Sequence, residues 1–273
     1  MTQAASNAFT SFECDGWRKA AVAYAGAWGR LTTQAIPRLL DAAGVRAGSR
    51  VLDVACGPGF AAGAAAERGA VAAGLDFSPE MLEQARRNFA NVDFHEGSAD
   101  RLPFDSRTFD AVMINFGLFH FEHPDRALRE AHRVLRDGGR IAFSAWDAPA
   151  RARLFGIVLE SVEKHGRMDV ELPTGPGFFN FSDEAPARAA LAAAGFEDTA
   201  FETVAMSMHL DSPEELFGLM QRASVRTAAL LRGQSPAALA RIGQAITEGA
   251  RAHMQDGRVV LPANAHIASG RKP

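Results

Sequence analysis

"VLDVACGPGF", residues 51–60, decides the fold. An apolar run holds one carboxylate, Asp53, and then breaks into Gly57-Pro58-Gly59. So apolar a run fits a strand covered on both faces. Glycine adopts positive φ without penalty and lets a ligand approach the backbone closely. A strand that stops in two glycines marks a turn built to hold something.

The same grammar recurs on both sides of this stretch. Residues 50–55 read as a first strand, followed by a helix over 60–68. A second strand over 71–75 ends at Asp76. Ser78, Pro79 and Glu80 then open a helix as N-cap, first helical residue and first-turn acid. Strands follow at 92–97 and 109–116. Ala127, Leu128, Ala131, Val134 and Leu135 mark one helical face. Asp137-Gly138-Gly139 is expected to end that helix before a fifth strand, 140–146. Strands alternating with helices imply a parallel sheet joined by right-handed crossovers.

Beyond Trp146 the pattern loosens. It predicts a helix over 150–164, a loop over 174–182, a helix over 183–194 and a strand over 199–208. Helices follow from 211, one opened by a Ser212-Pro213-Glu215 capping box and another by Ser235-Pro236. A last strand covers 258–271. The expected fold class is α/β: a Rossmann-like, seven-stranded, mostly parallel sheet with helices on both faces and a helical lid. The expected organisation is one domain over 1–273. It has an N-terminal helical cap segment (1–44), a ligand-binding core (45–149), a lid (150–180 and 211–255) and a final strand (256–273).

Composition narrows the function. Hydrophobic residues make up 47% of the 273 and charged residues 22%, ordinary for a globular chain with a full core. A net charge of -3 argues against a nucleic-acid partner, whose binders are basic. Two cysteines, Cys14 and Cys56, make no disulfide framework. No signal peptide and no membrane span are legible, so a cytoplasmic location is expected.

In an open parallel sheet, ligands sit outside the carboxyl ends of the strands. Gly57, Gly59 and Gly63 have a weak dinucleotide-like spacing. Asp53, however, would repel a pyrophosphate, and Pro58 removes an amide donor from the turn. Asp76, ending the next strand, can accept two ribose hydroxyls. Together they describe a ligand with a ribose and a positive group but no phosphate, as in S-adenosylmethionine (AdoMet).

The strings "VLDVACGPG", "GLDFSPEMLEQAR", "EGSADRLPFDSRTFDAVMINFGLFHF" and "ALREAHRVLRDGGRIAFSAW" resemble the class I AdoMet-dependent methyltransferases. They are most similar to the branch holding the ubiquinone/menaquinone-biosynthesis C-methyltransferases, over about 45–146. The resemblance implies methyl transfer from AdoMet to a small, hydrophobic or aromatic acceptor. It implies that Asp53, Ala55, Gly57 and Gly59 line the methionine end of the cofactor, Asp76 binds the ribose, and Phe77 and Met81 border the adenine. Ser98 and Ala99 match the adenine-edge segment, where the family often has aspartate instead of Ser98. Asp100 is an alternative acceptor there. Asn115 matches the position beside the transferring methyl. Tyr24 and Arg30 lie in the segment that closes over the cofactor, with Arg30 toward its carboxylate.

His120, just past the fourth strand, is a candidate general base, since histidine titrates near neutral pH; a structural role is the alternative. No metal is expected, because His120 and His123 lack further partners at ligand spacing. Phe178, Phe179, Phe181, Phe217, Leu219 and Met220 suit an apolar acceptor, or serve as the lid's own core. Two other functional classes stay open: an NAD(P)-dependent oxidoreductase on a similar sheet, and an AdoMet-binding protein that does not methylate. The acceptor, the methylated atom type and the oligomeric state are not legible.

Overall fold

The computed structural model describes residues 3–24 and 26–273. The chain forms two compact units. The first comprises Thr32–Trp146, Gly175–Val204 and Ala265–Pro273. The second comprises Met1–Leu31, Asp147–Thr174 and Ala205–Asn264. The strands are β1 (Arg50–Val54), β2 (Val71–Asp76), β3 (Asp93–Glu96), β4 (Phe109–Ile114), β5 (Leu135–Trp146), β6 (Glu197–Val204), β7 (Ser207–Leu210), β8 (Met254–Gln255), β9 (Arg258–Pro262) and β10 (Ala265–Arg271). The helices are α1 (Gln3–Tyr24), α2 (Ala27–Thr32), α3 (Ile36–Ala42), α4 (Phe60–Glu67), α5 (Pro79–Asn88), α6 (Pro124–Val134), α7 (Arg153–His165), α8 (Glu184–Ala193), α9 (Glu215–Arg222), α10 (Arg226–Arg232) and α11 (Pro236–Arg251).

The first unit carries a seven-stranded sheet in the order β3-β2-β1-β4-β5-β10-β6. β1 pairs in parallel with β2 on one side and β4 on the other, while β10 runs antiparallel to β5 and β6. The order reverses at β1, which puts the switch point between β1 and β4, where such sheets bind ligands. The expected α/β fold, a seven-stranded and mostly parallel sheet with helices, is the one observed. Val51, Leu52 and Val54 of β1, and Ala111, Val112, Met113 and Ile114 of β4, are each at most 2% exposed, as strands covered on both faces require. Ala127, Leu128, Ala131 and Val134 form the buried face of α6.

Local chemistry explains where the sequence reading and the structure part. Asp137-Gly138-Gly139 does not cap α6: the helix stops at Val134, and the three residues lie in β5, where the β4–β5 register shifts. Gly138 (φ 78°) serves this bulge, its N–H donating to the Lys272 carbonyl. The stretch read as one strand over 199–208 is two, β6 and β7, and they belong to different sheets. The stretch 258–271 likewise divides into β9 and β10 beside Pro262, which has no N–H to continue a ladder. The Ser212 capping box does not form. Glu214 is the N-cap of α9, and the Glu215 carboxylate accepts instead from the Asp211 N–H at 3.4 Å. Ser78 and Ser235 do cap α5 and α11, accepting from the N–H groups of Met81 and Ala238.

The second unit has a three-stranded antiparallel sheet, β7-β9-β8, with the helices α1, α7 and α9–α11. α7 and α11 approach closely at Gly249, where an added Cβ would stand 2.7 Å from Ile157 Cγ2. Val158, Val162, Ile242 and Ile246 are fully buried on these two helices. Of the apolar residues expected in the lid, Met220 is fully buried in this unit, and the Phe217 ring lies against Gly243.

Candidate active site

The site grows from the end of β1. Ala55 (φ 58°), Gly57 (φ 51°) and Gly59 (φ 84°) all take left-handed backbone, so the chain turns sharply out of the strand. The Cys56 N–H donates to the Leu75 carbonyl at 3.0 Å, and the Gly59 N–H to the Cys56 carbonyl at 2.9 Å. Gly59 is the N-cap of α4, and a Cβ there would lie 2.7 Å from the Phe94 ring. Dihedral and space both demand glycine at 59. At Gly57 an added Cβ would meet nothing within 4 Å, so the floor of the turn faces open space. Burial pushes the Cys56 thiol well up, which leaves it an inert core residue.

Asp53 sits beneath this turn, 1% exposed. Its Oδ2 accepts from the Ala62 N–H at 3.0 Å, an amide of the first turn of α4 that has no partner within the helix. Its Oδ1 is buried without a hydrogen-bond partner. Burial pushes this carboxyl up to about 8, with the nearby Asp76 charge adding to the rise. An orphan buried acceptor is costly unless a donor arrives, and an ammonium group is such a donor.

Asp76 ends β2 beside the same turn. Its Oδ2 accepts from the Gly57 N–H at 2.8 Å and its Oδ1 from the Ser78 N–H at 2.9 Å. Burial raises this carboxyl to about 6, and the Ser78, Gly57 and Phe77 amides oppose the rise. A carboxylate has about four acceptor positions, so two remain for hydroxyl donors. Asp53 and Asp76 therefore flank one glycine turn, on neighbouring strands. Half-buried Phe77 follows Asp76, and Met81 is buried in the first turn of α5. The Gly97 N–H donates to the Asp76 carbonyl at 3.0 Å, which brings Ser98, Ala99 and Asp100 to the same strand tip. Ser98 Oγ accepts from the Asp100 N–H at 3.2 Å, Ala99 is buried, and partial burial raises the Asp100 carboxyl.

The end of β4 carries the second half. Asn115 Oδ1 accepts from Ser144 Oγ at 2.7 Å, and its Nδ2 donates to the Thr32 carbonyl at 3.3 Å. His120 closes a short 3-10 turn over Leu118–His120, its ring 4.5 Å from Phe119 and 5.8 Å from Phe178 between centroids. Phe179 packs on Phe178, while Phe181 is buried against Phe143. Tyr24 and Arg30 belong to the second unit, where the Tyr24 ring meets Trp17 edge-on at 5.4 Å and Arg30 is exposed in the last turn of α2.

Two residues of the first unit escaped the sequence reading. Asn88, ending α5, donates from Nδ2 to the Pro58 carbonyl at 3.1 Å and so fastens the glycine turn. Ser144 is fully buried on β5. Its signal was a lone hydroxyl in the apolar run "RIAFSAW"; Asn88 gave none. Among the described residues no group of three His, Cys, Asp or Glu is placed to hold a metal, and no helix is long and apolar enough to cross a membrane.

Residues 52–143 match the methyltransferase-domain family. Demethylmenaquinone methyltransferase of Chlorobaculum tepidum is 46% identical over 91 residues, 33% of this chain and 38% of that protein. Ubiquinone/menaquinone biosynthesis C-methyltransferase UbiE of Rhodopseudomonas palustris is 41% identical over 120 residues, 40% of this chain and 47% of that protein. The chain thus spans less than half the length of these relatives. Phosphoethanolamine N-methyltransferase 2 of Haemonchus contortus, solved with S-adenosyl-L-methionine, shares the fold at TM-score 0.57 and 18% identity, over 97% of this chain and 60% of that one. The [4+2]-cyclase SpnF shares it at TM-score 0.53 and 22% identity, over 88% and 81%.

Proposed function

We propose that the protein transfers a methyl group from AdoMet to a small hydrophobic or aromatic acceptor, a reading supported by the match of residues 52–143 to the methyltransferase-domain family. One observation carries the reading. Asp76 is pinned by the Gly57 and Ser78 amides and keeps two acceptor positions for a ribose. The orphaned Asp53 Oδ1 suits the ammonium of an amino-acid tail, and the open floor at Gly57 lets the ligand lie on the backbone. Ser98, Ala99, Phe77 and Met81 border the adenine on this reading. A dinucleotide fits less well, since Pro58 removes an amide donor from the turn that would have to hold its pyrophosphate.

AdoMet supplies an already activated methyl on a sulfonium. What remains for the chain is orientation: holding the acceptor about 3–3.5 Å from that methyl, a contribution on the order of 7–11 kcal/mol. Asn115 and Phe116, past the end of β4, form the wall beside the acceptor. His120 Nδ1 or Nε2 takes the proton when the nucleophile is a hydroxyl or an acidic carbon. Half-buried His120, Phe178 and Phe179, packed tilted and edge-on over the buried Phe119 ring, offer an aromatic surface to an apolar acceptor. A quinone-type ring, the class named in the two relatives, is the finer reading that this cluster favours.

Calorimetry tests the cofactor. Wild type should bind AdoMet and Asp76→Ala should lose that binding; unchanged affinity in the variant overturns the ribose assignment. Methyl-labelled AdoMet offered with quinols, phenols and amines tests the transfer. S-adenosylhomocysteine is expected with at least one acceptor class. Binding without release from any of them would make this a non-methylating AdoMet protein.

A further inference from the structure

The turn after β4 holds a strained residue. Phe116 has φ 54°, a left-handed conformation that a bulky side chain rarely adopts and that is kept only where its surroundings impose it. Its ring stacks on Trp146, 4.1 Å between centroids. Its buried N–H donates to Ser144 Oγ at 2.9 Å. The same hydroxyl donates its proton to Asn115 Oδ1 at 2.7 Å. One buried oxygen thus fixes two things at once: the left-handed backbone at Phe116 and the side-chain amide of Asn115, which is turned so that Nδ2 meets the Thr32 carbonyl.

This turn borders the glycine turn directly. A Cβ on Gly117 would lie 2.9 Å from Ala55 Cβ, so the two left-handed turns touch across the switch point. β2 and β4 are each one strand away from β1. By strand spacing, Asn115 lies about 10 Å across the sheet from Asp76. On the AdoMet reading, with the ribose at Asp76 on β2 and the ammonium toward the orphaned Asp53 Oδ1 on β1, the sulfonium end would run toward β4 and Asn115.

We propose that Ser144 is a positioning residue for the reacting end of the cofactor. It acts through Asn115 and Phe116 and touches no ligand itself. This rests on the AdoMet reading above. Alanine at 144 leaves the Phe116 N–H and Asn115 Oδ1 without their partner, freeing the carboxamide to rotate and the turn to relax.

The test is calorimetry with two probes, AdoMet and adenosine, on wild type, Ser144→Ala, Asn115→Ala and the double variant. Adenosine has the ribose and base but no sulfonium. Ser144→Ala should weaken AdoMet at least fivefold and leave adenosine within twofold. In the Asn115→Ala background the Ser144→Ala effect should shrink to less than twofold, because the two act as one unit. AdoMet affinity within twofold of wild type, equal weakening of both probes, or fully additive losses would each overturn the proposal. Should Ser144→Ala not melt cooperatively, Ser144→Cys carries the same test: it keeps the size but donates weakly. Failure of wild type to bind AdoMet at all is a different result, which overturns the cofactor reading and this inference with it.

Discussion

The tip shared by β1 and β2 and the tip of β4 are built by opposite means. At the first, main-chain amides do the holding: Gly57 and Ser78 grip Asp76, and Ala62 grips Asp53. At the second, one side-chain hydroxyl does it: Ser144 Oγ accepts from the Phe116 N–H and donates to the Asn115 carboxamide. A site held by backbone tolerates change in most side chains but not in its glycines and carboxylates. A site held by side chains can be retuned residue by residue.

The largest expected effect lies at the backbone-held tip. Asp76→Ala removes two charge-assisted hydrogen bonds to the ribose, each about 1.5–3 kcal/mol, so AdoMet affinity should fall on the order of 100-fold or more. Titration calorimetry reads this, and a loss below tenfold would break the contrast between the tips. Next comes Gly59→Ala. Left-handed alanine against the Phe94 ring should cost about 1–3 kcal/mol of stability, read by denaturant unfolding. A neutral result would mean that Gly59 matters for neither dihedral nor space.

The third effect is a pH profile. The Asp53 carboxyl stands at about 8 in the fold against an ordinary 3.8, and Asp76 at about 6. The folded chain therefore keeps protons that the unfolded chain releases. Stability should fall as pH rises from about 4 to 8, since the native state binds more protons over that range. Asp53→Asn should flatten the upper part of this decline, between about 6 and 8, where Asp76 no longer contributes. An unchanged profile in that variant would place the titration elsewhere. Smallest is Asn88→Ala. It removes one bond to the Pro58 carbonyl and should lower stability by about 0.5–1.5 kcal/mol, with a modest loss of AdoMet affinity. A loss as large as that of Asp76→Ala would show that the glycine turn does not hold itself.

Legibility follows the same division. The first tip could be read because its requirements are local: a glycine where φ is positive, an acid at a strand end, and a Ser-Pro-Glu helix start. The sequence names Asn115 and His120 at the second but not Ser144, which meets Asn115 only after β4 and β5 pair. The sheet was read in outline for the same reason that its strands are buried on both faces. The exceptions are instructive. Residues 199–208 and 258–271 alternate like single strands, yet each passes from one sheet to the other, at Ala205–Met206 and at Ala263–Asn264. Period-two patterning records which face a residue presents, not which sheet it joins. Asp137-Gly138-Gly139 has the composition of a helix stop, but the positive φ that it supplies serves a bulge in β5.

A thermal-shift comparison of AdoMet with NAD+ on the wild-type protein tests the central claim most directly. AdoMet and S-adenosylhomocysteine should raise the melting temperature in proportion to the logarithm of their concentration, and NAD+ should leave it unchanged. A rise with NAD+ and none with AdoMet would mean that the turn at Gly57 receives a pyrophosphate, and that the two carboxylates beside it were misread.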